Sequence, residues 1–381
     1  MKVFKDEIQQ YINANLNSDL HSLLLKKSPF PEVSMQELVQ QIKGKKVAEK
    51  KFSFLNQSDI IFPPNLNLEQ ASSQNTAEFK TQFFKGEKFI DLTCGFGIDA
   101  YFLSQNFKEI TLVEQNEQLL EVVKHNWKVL GRNANFINQK LEDFLNENNQ
   151  KFDLIYLDPA RRDNQNRKVF LLEDLSPNLI EIQEQLSVFS DEILIKLSPL
   201  IDLQHLVSSL KNVAKIWIIA VKNEVKEVLI YLKKTENQPE ISCVNLQSNE
   251  PDFNFYFSEE KAVVVEYTSP QKYLYIPNNS VYKSGAFNLV SKRFNISKLH
   301  QNTHLYTSES KIDAFPGRIF VVEEINPKEI KKGEQYNIIT KNYPLKPDEI
   351  KIKYKIKDGG EDYLIFCTSV KGKHILKGKL C

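Results

Sequence analysis

The chain has 381 residues, of which 41% are hydrophobic and 26% are charged, and its formal net charge is +1. This length predicts two or three domains, and a charge so close to zero means that any nucleic-acid-binding surface must be local. No apolar run is long enough to cross a bilayer and the start, MKVFKDEIQQ, lacks the apolar core of a secretory signal, so we expect a cytoplasmic protein. The four cysteines are scattered, with no CxxC pair or Cys/His cluster, which predicts neither a disulfide framework nor a zinc site.

The first part of the sequence predicts helices, and from Lys88 the pattern changes to alternating strands and helices. Residues 1–60 carry leucine, valine and isoleucine at helical spacing, and Pro63 and Pro64 end this region. From Lys88, short β-branched or aromatic runs alternate with amphipathic stretches, as in parallel strands joined by crossover helices. The predicted strands are KFIDLTC, EITLVEQ, NANFIN, FDLIYLD, EILIKLS and KIWIIAV, and the predicted helices are DAYFLSQ, NEQLLEVVKHNWKVL, LEDFLNE, NLIEIQEQLSVF and LIDLQHLVSSL. We therefore predict an α/β fold, with a Rossmann-like domain over residues 61–270 after the helical region.

Beyond Ala220 we predict a helix, EVKEVLIYL, and a strand, KAVVVEY, that extends the same sheet. The tail is richer in tyrosine and in Pro and Gly turns, which places a domain boundary near Pro270. Within the tail, KIKYKIK (residues 351–357) alternates strictly and is predicted as a strand with its four lysines on one face. Ammonium groups about 6.6 Å apart could track phosphates. A solvated edge strand is the alternative interpretation.

A glycine loop, DLTCGFG (residues 91–97), follows the first parallel strand and opens a helix. Glycines let the backbone turn tightly and approach a ligand closely. Glu114 ends the second strand, where its carboxylate can accept two hydrogen bonds from ribose hydroxyls; the alternative is an exposed acid at a strand end. Together these features predict a nucleoside-binding crevice at the carboxyl ends of the strands.

Two cofactor classes fit this loop. Gly95, Gly97 and Ala100 also satisfy the dinucleotide fingerprint, so a nicotinamide enzyme stays open. Asp91 favours a methyl donor, because a carboxylate beside the loop can reach an ammonium group, whereas a pyrophosphate would be repelled there. Asp99, in the first helical turn, is also awkward for a phosphate, although the helix dipole alone stabilises an acid at that position.

Over residues 61–230 the sequence resembles the class I S-adenosylmethionine-dependent methyltransferases. The resemblance implies that Asp91, Gly95 and Gly97 hold the methionine end of the cofactor and that Glu114 holds its ribose. Family members often bind the adenine amine with an acid near the end of the third strand. The position aligned there is Lys140, which leaves Asp143 or the backbone as a substitute.

The segment DPARR (residues 158–162) follows the fourth predicted strand, so it lies at the same edge of the sheet as the glycine loop. An acceptor must lie there for in-line attack on the methyl sulfonium, a reaction that needs positioning more than a strong nucleophile. The segment resembles the substrate motif of the family, with Arg161 in the position of an aromatic residue. Arginines can stack on a flipped base or clamp a phosphate; a solvated loop in which they pair with nearby aspartates is the alternative.

Further candidates flank this edge of the sheet. Lys196, at the end of the fifth strand, could steer a phosphate or the acceptor, or could snorkel to solvent. Gln70, Ser73 and Thr76 lie in a predicted loop and helix start; a comparable segment covers the cofactor in RNA methyltransferases of this superfamily, and helix capping is the alternative. Cys94 is the cysteine nearest the DPARR segment but lies in the glycine loop, which disfavours covalent methylation at a pyrimidine C5.

The DPARR segment and the tail resemble a family of bacterial methyltransferases that carry a ferredoxin-like unit and a THUMP-like domain. In the tail, the resemblance rests on YLYIPNNSVYKSGAFNLVSKRF, KLHQNTHLYTS, FPGRIF and NIITKNYPLKPDEIKIKYKIKDGGEDYLIF. It implies a ferredoxin-like unit at 271–318 and a THUMP-like domain at 319–381. It also implies RNA binding, because THUMP domains occur in RNA-modifying enzymes.

The sequence therefore predicts an S-adenosylmethionine-dependent methyltransferase that acts on a nucleobase in tRNA or rRNA. The predicted cofactor-binding residues are Gln70, Ser73, Thr76, Asp91, Thr93, Gly95, Gly97, Asp99, Glu114 and Asp143. The residues predicted at the acceptor are Asp158, Pro159, Ala160, Arg161, Arg162 and Lys196. A methyltransferase acting on a small molecule or a protein, and a noncatalytic RNA-binding protein, are the alternatives; neither a metal nor a membrane is predicted as a partner.

Overall fold

A computed structural model describes residues 5–161, 172–234 and 238–381 of the protein. The chain divides into two compact units, one formed by Met1–Val213 with Leu229–Thr235 and the other by Ala214–Val228 with Glu236–Cys381. Within the described residues, none of the helices combines the length and the apolar character that a membrane span requires.

The first unit begins with three helices, α1 (Asp6–Ala14), α2 (Leu20–Leu24) and α3 (Met35–Lys51). Helix α3 starts with a capping box, in which the Glu37 amide donates to Ser34 Oγ (3.2 Å) and the Ser34 amide donates to Glu37 Oε2 (2.7 Å). The apolar faces of the three helices share a buried cluster that includes Ile8, Ile12, Leu23, Leu38 and Ile42. The predicted helical start of the chain is confirmed.

A parallel sheet with crossover helices makes up the rest of the first unit. Its elements are α4 (Asn65–Gln70), α5 (Gln74–Thr81), β1 (Lys88–Asp91), α6 (Ile98–Leu103), β2 (Glu109–Glu114), α7 (Glu117–Val129), β3 (Asn135–Asn138), α8 (Leu141–Glu147), β4 (Leu154–Leu157), β5 (Ala160–Arg161), β6 (Leu175–Ser176), α9 (Leu179–Phe189), β7 (Glu192–Leu197) and α10 (Leu203–Ser209). The strand order is β7-β4-β1-β2-β3, and these strands pair in parallel. The order reverses at β1, so the carboxyl ends of β1, β2 and β4 lie side by side at a topological switch point. The predicted Rossmann-like fold is confirmed.

Two long strands follow, β8 (Val213–Val221) and β9 (Glu224–Lys233). Strand β9 occupies EVKEVLIYL, so the helix predicted there is wrong. Val228, Leu229 and Ile230 are consecutive and all buried. A strand buried on both faces gives a continuous apolar run, and periodicity alone cannot distinguish such a run from a helix.

The second unit continues with a short antiparallel pair and a helix, β10 (Glu240–Leu246), β11 (Phe253–Tyr256) and α11 (Phe257–Lys261). Helix α11 ends at Lys261, which is the first residue of the predicted strand KAVVVEY. That prediction is wrong, because residues 263–266 have no regular structure and Tyr267 forms only an isolated bridge with Lys298. Val264 is 97% exposed, so this apolar run does not contribute to a core.

A curled sheet with three helices forms the rest of the second unit. Its elements are β12 (Tyr273–Pro277), α12 (Asn279–Ser284), α13 (Phe287–Phe294), β13 (Ser297–His300), β14 (Thr303–Ser308), β15 (Gly317–Glu324), β16 (Gln335–Lys341), α14 (Pro347–Tyr354), β17 (Lys357–Ser369) and β18 (Gly372–Leu380). The strand order is β13-β14-β12-β15-β18-β17-β16, with β16 parallel to β17 and the other pairs antiparallel. The two edges approach each other, since the Val370 amide donates to Leu299 O (2.9 Å) and Asn342 Nδ2 donates to Thr303 Oγ1 (3.0 Å). The inner face of this sheet encloses a cluster that includes Leu274, Leu305, Phe320, Ile365 and Leu376.

Helix α14 covers most of KIKYKIK, which was predicted as a strand. The prediction that its four lysines form a stripe along one face of a strand is therefore wrong. The helix begins at Pro347, and the Glu349 side chain accepts a hydrogen bond from the Lys346 amide (2.7 Å). Proline at a first helical position followed by acids is a helix-start signal, and it overrides the alternation that follows. Lys351 forms ion pairs with Asp348 (2.7 Å) and Asp358 (2.6 Å), so its charge is already balanced by acids of the same chain.

Candidate active site

The glycine loop connects β1 to α6 and is shaped by two positive φ angles. Gly97, at φ 75°, precedes α6, and a Cβ there would lie 2.9 Å from Val123 Cγ1 and 3.3 Å from Trp127 Nε1. Gly95, at φ 54°, is different, because an added Cβ would meet only Thr93 O at 3.8 Å. At position 97 a larger residue would clash with its neighbours, so packing requires glycine. At position 95 the positive φ angle favours glycine, and the space beside the loop is open.

Glu114, at the end of β2, is tied to this loop. Its Oε2 accepts a hydrogen bond from the Gly95 amide (2.9 Å) and its Oε1 accepts one from the Asn116 amide (2.8 Å). A carboxylate has about four acceptor positions, so each oxygen can still accept a further hydrogen bond. The side chain is held in a fixed orientation at the strand end, where it could receive a pair of hydroxyl groups.

Asp91, at the end of β1, is a buried carboxyl group beside the loop. It is 1% exposed, and its Oδ1 accepts a hydrogen bond from the Thr93 amide (2.9 Å). Burial raises the pKa of Asp91 well above its usual range, and the negative charges of Asp99 and Asp158 act in the same direction. A cation beside Asp91 would stabilise its ionised form.

Thr93 joins the loop after β1 to the loop after β4. Its Oγ1 accepts a hydrogen bond from the Asp158 amide (2.6 Å) and lies 3.5 Å from Asp91 Oδ1. One hydroxyl therefore fixes the distance between the predicted cofactor loop and the DPARR segment.

A buried ion network lies beneath these loops, centred on Asp99. Its carboxylate accepts hydrogen bonds from Lys80 Nζ (2.7 Å), Ser72 Oγ (2.6 Å) and Tyr156 OH (2.7 Å), and Lys196 Nζ lies 3.3 Å away. Burial would raise the pKa of Asp99, but the positive charges of Lys80 and Lys196 outweigh it and hold the pKa below its usual range. Asp99 is thus an ionised residue inside the unit.

Lys196 connects this network to the DPARR segment. Its Nζ lies 2.5 Å from Asp158 Oδ2 and donates to Ser72 Oγ (2.9 Å). The side chain of Lys196 is 9% exposed and that of Asp158 is 36% exposed, so the pair reaches from the interior to the crevice. Burial raises the pKa of Asp158 in spite of Lys196. Among the described residues, the network therefore joins Lys80 and Lys196 to Asp99 and Asp158.

The remaining residues of the DPARR segment are only partly described. Pro159 is buried and Ala160 is exposed, and strand β5 pairs Ala160 with Ser176 and Arg161 with Leu175. Arg162 lies outside the described residues. The backbone of the segment therefore forms a short antiparallel ladder directly after the carboxyl end of β4.

The other predicted cofactor contacts lie at helix termini. Ser73 caps α5, because its Oγ accepts a hydrogen bond from the Thr76 amide (3.4 Å), and Thr76 Oγ1 donates to Ser73 O (3.0 Å). Gln70 ends α4 and is exposed. Lys140 precedes α8 and Asp143 lies in its first turn, both exposed. The structure thus brings Asp91, Thr93, Gly95, Glu114 and Asp158 together, and it gives Ser73 and Thr76 the capping geometry considered as the alternative.

The sequence interpretation missed Ser72, Lys80 and Tyr156. A usable signal existed for Lys80, which lies three residues after Ala77 on the buried face of α5, where a lysine requires a partner. The partner itself could not be identified, because Lys80 and Asp99 meet only in the folded chain.

Comparison with known proteins identifies the class that this fold and site define. Residues 273–316 match a family described as a ferredoxin-like domain, residues 317–377 a THUMP domain-like family, and residues 69–188 a family described as conserved hypothetical protein 95. The chain is a methyltransferase with a Rossmann-like core, a ferredoxin-like domain and a THUMP-like domain. The resemblance predicted from the DPARR segment and the tail is confirmed.

Two relatives make the assignment more specific. The crystal structure of a "putative methyltransferase" from Porphyromonas gingivalis W83 is 30% identical in sequence over 98% of both chains, with a TM-score of 0.86. This chain belongs to the family of that protein. An "Uncharacterized RNA methyltransferase" of Mycoplasma mobile is 32% identical over 95 residues, a match that spans 25% of this chain and 26% of that protein.

Proposed function

We propose that this protein transfers a methyl group from S-adenosylmethionine to a nucleobase in RNA. The observation that carries the proposal is the linkage of three strand ends at one edge of the sheet. Gly95 is bonded to Glu114 after β2, and Thr93 is bonded to Asp158 after β4. A donor and an acceptor bound at these ends would lie next to each other, and methyl transfer depends on that arrangement.

The chemistry of the site suits the proposed cofactor, which supplies a methyl group on a positively charged sulfur. Asp91 would bind the ammonium group of the methionine end, because its raised pKa leaves a buried carboxyl that a cation would help to ionise. Glu114 would accept hydrogen bonds from the ribose hydroxyls with the acceptor positions that Gly95 and Asn116 leave open. A pyrophosphate fits less well, since Asp91 and Glu114 would both repel it.

Asp158 would hold the acceptor. Lys196 neutralises one carboxylate oxygen from inside the unit, and the Asp158 amide is fixed by Thr93. The partly exposed carboxylate could then accept an N–H from a nucleobase, while Pro159 and Ala160 shape the adjoining surface and Arg161 and Arg162 contact the base or a phosphate. The role of these residues is positioning, because no strong nucleophile is required.

RNA is proposed as the substrate for two reasons. The Mycoplasma relative is named as an RNA methyltransferase, and residues 317–377 match a THUMP domain-like family. A tRNA or an rRNA is the acceptor that we expect. A small molecule, a protein or a noncatalytic role are the other outcomes of the test below.

The test is transfer of labelled methyl from S-adenosylmethionine to size-fractionated RNA from cells that lack this protein. We expect label in one RNA fraction with the wild-type protein. Asp91→Ala should lose cofactor binding, whereas Asp158→Ala should bind the cofactor normally and lose turnover. Glu142→Ala, which changes an exposed acid of α8, serves as the matched control and should retain both.

Two results would contradict the proposal. Cofactor binding without label in any RNA fraction would point to a small-molecule or protein acceptor. Loss of cofactor binding in the Asp158 variant as well as the Asp91 variant would contradict the division of roles between the two carboxylates.

A further inference from the structure

Two cations face the interior of the curled sheet in the second unit. Arg318 in β15 lies two residues before Phe320, and Lys341 in β16 lies two residues after Ile339. Phe320 belongs to the buried cluster inside the sheet and Ile339 packs against it. Because side chains alternate along a strand, Arg318 and Lys341 point to the same inner face and lie at one end of the apolar cluster.

An aromatic surface adjoins these cations. Lys341 Nζ lies 4.2 Å from the centre of the Tyr282 ring. The Tyr282 OH donates to His304 O, and the His304 ring stacks on Phe287 with the ring centres 3.4 Å apart. A third cation, Lys298, lies with its Nζ 5.6 Å from the Phe287 ring centre. Lys298 is 2% exposed and its Nζ donates to Asn288 Oδ1 (3.3 Å) and Gln301 O (3.2 Å), so we give the name basic cluster to Arg318 and Lys341 alone.

The basic cluster concentrates positive charge in a partly dehydrated place. Burial lowers the pKa of Lys341, and the charge of Arg318 lowers it further. Burial together with Lys298 and Lys341 lowers the pKa of His304 to about 4, so the histidine is neutral at physiological pH. These shifts show that the cations repel one another and that His304 adds no charge of its own.

The cluster also lacks acidic partners in the part of the chain that the structure describes. Neither Arg318 nor Lys341 forms an ion pair with a described acid, whereas Lys377, which is also half-buried, pairs with Asp362 (2.9 Å). Burial lowers the pKa of the neighbouring Lys298 and the charge of Glu260 only partly offsets this, while the Glu260 carboxylate accepts the backbone amides of Asn288 and Leu289 in α13 at 2.7 to 3.1 Å. A half-buried cation without a counter-charge is unfavourable, so an anion bound here would gain free energy from Arg318 and Lys341.

We propose that the basic cluster binds backbone phosphates of the RNA substrate. A guanidinium and an ammonium group beside one another suit phosphate oxygens, and the adjoining Tyr282 ring offers a surface on which a base can stack. Tyr282 lies in the ferredoxin-like region, and Arg318 and Lys341 lie in the THUMP-like region. The two regions therefore build the site together. This inference rests on the proposed function and replaces the lysine stripe as the RNA contact of the tail.

The test measures the salt dependence of RNA binding with full-length protein and a fluorescein-labelled single-stranded RNA of mixed sequence. Arg318→Gln with Lys341→Gln should lower the slope of log affinity against log salt by about 1.4, because each phosphate contact contributes about 0.7 for a single strand. The matched control, Lys353→Gln with Lys355→Gln, removes the same charge from exposed positions of the former stripe and should keep the wild-type slope. The charge-retaining pair Arg318→Lys with Lys341→Arg should keep it as well, which separates loss of charge from damage to the fold.

Three outcomes would overturn the inference. Equal slopes for the Gln pair and its control would show that the basic cluster does not contact RNA phosphates. The double variant Arg318→Gln, Lys341→Gln could instead lose binding of inorganic phosphate, measured by phosphorus NMR, and keep the wild-type salt slope of RNA binding. This result would mean that the cluster binds a free anion and not RNA. Absence of RNA binding by the wild-type protein would refute both this inference and the RNA acceptor, whereas the first two outcomes leave the proposed methyl transfer intact.

Discussion

Replacement of Lys196 by methionine tests the buried ion network directly. The substitution keeps the approximate length of the side chain and removes the cation that contacts both Asp99 and Asp158. Asp99 would keep its contact with Lys80 (2.7 Å), but Asp158 would lose the ammonium group now 2.5 Å from its carboxylate. Breaking a fully buried ion pair from one side costs about 3 to 5 kcal/mol of the free energy of unfolding, because a charge stays buried without compensation. The side chain of Asp158 is 36% exposed and water can solvate it in part, so we expect a loss of about 2 to 3 kcal/mol.

The matched control is Lys211→Met, which breaks an exposed pair with Glu184 at 2.6 Å. Both side chains of that pair are more than 70% exposed, so the loss should stay below about 1 kcal/mol. Urea titration in a Trp217→Phe background leaves Trp127 as the fluorescent reporter in the first unit. A loss for Lys196→Met that matches the loss for Lys211→Met would refute the argument that the network stabilises this unit.

The pH dependence of the same variant has a defined sign. Burial already raises the pKa of Asp158 above its unfolded value, and removal of Lys196 would raise it further. A carboxyl with a raised pKa in the folded state destabilises the fold as pH rises through that pKa. The Lys196→Met variant should therefore lose more stability at about pH 8 than at about pH 5. Adding Asp158→Asn should recover part of the loss at the higher pH.

Two further predictions concern the glycine loop and its acid. Gly97→Ala should cost more stability than Gly131→Ala, because both have positive φ but an added Cβ meets Val123 at 2.9 Å in the first case and nothing within 4 Å in the second. The backbone cost is about 1 to 2 kcal/mol in each, with about 1 to 3 kcal/mol more for the contact at Gly97, and equal losses by denaturant titration would contradict this. The pKa of Asp91 is raised by burial, so at low pH its carboxyl group is protonated in the protein without ligand. Binding of an ammonium group there requires Asp91 to lose this proton first. Calorimetry should show affinity for S-adenosylmethionine rising from about pH 5 to about pH 7, below the range in which the ligand's own ammonium group titrates, with Asp91→Asn weak and insensitive to pH over that range; a flat wild-type profile would refute the ammonium contact.

The sequence predicted well those parts of the fold that depend on local pattern. Short apolar strands bounded by glycine or acids were recognised, and the residues after β1, β2 and β4 had to meet because parallel strands share an edge. Where a pattern fits two structures, the prediction failed. Strand β9 is buried on both faces, and its continuous apolar run looks the same in sequence as a buried helix. In KIKYKIK the alternation of lysine and apolar residues is compatible with a helix as well as a strand, and the helix-start signal at Pro347 decides for the helix.

The residues in the loops of the candidate site were predictable from the sequence, but the buried ion network beneath those loops was not. Asp91, Gly95, Glu114 and Asp158 carry recognisable motifs, and the roles proposed for them remain predictions. Lys196 was predicted to steer a phosphate or the acceptor, or to reach to solvent, and its contacts with Asp99 and Asp158 in the structure were not foreseen. Contacts between residues far apart in sequence leave no periodic signal, so such a network cannot be found from one sequence.

The hydroxyl of Thr93 has a consequence for redesign of this enzyme. Because Thr93 Oγ1 accepts a hydrogen bond from the Asp158 amide, a different loop grafted after β4 would keep its position only if residue 93 has a hydroxyl group. Serine would preserve the bond and valine would remove it, although valine has nearly the same shape as threonine. Libraries that diversify the residues after Asp158 should therefore keep serine or threonine at position 93.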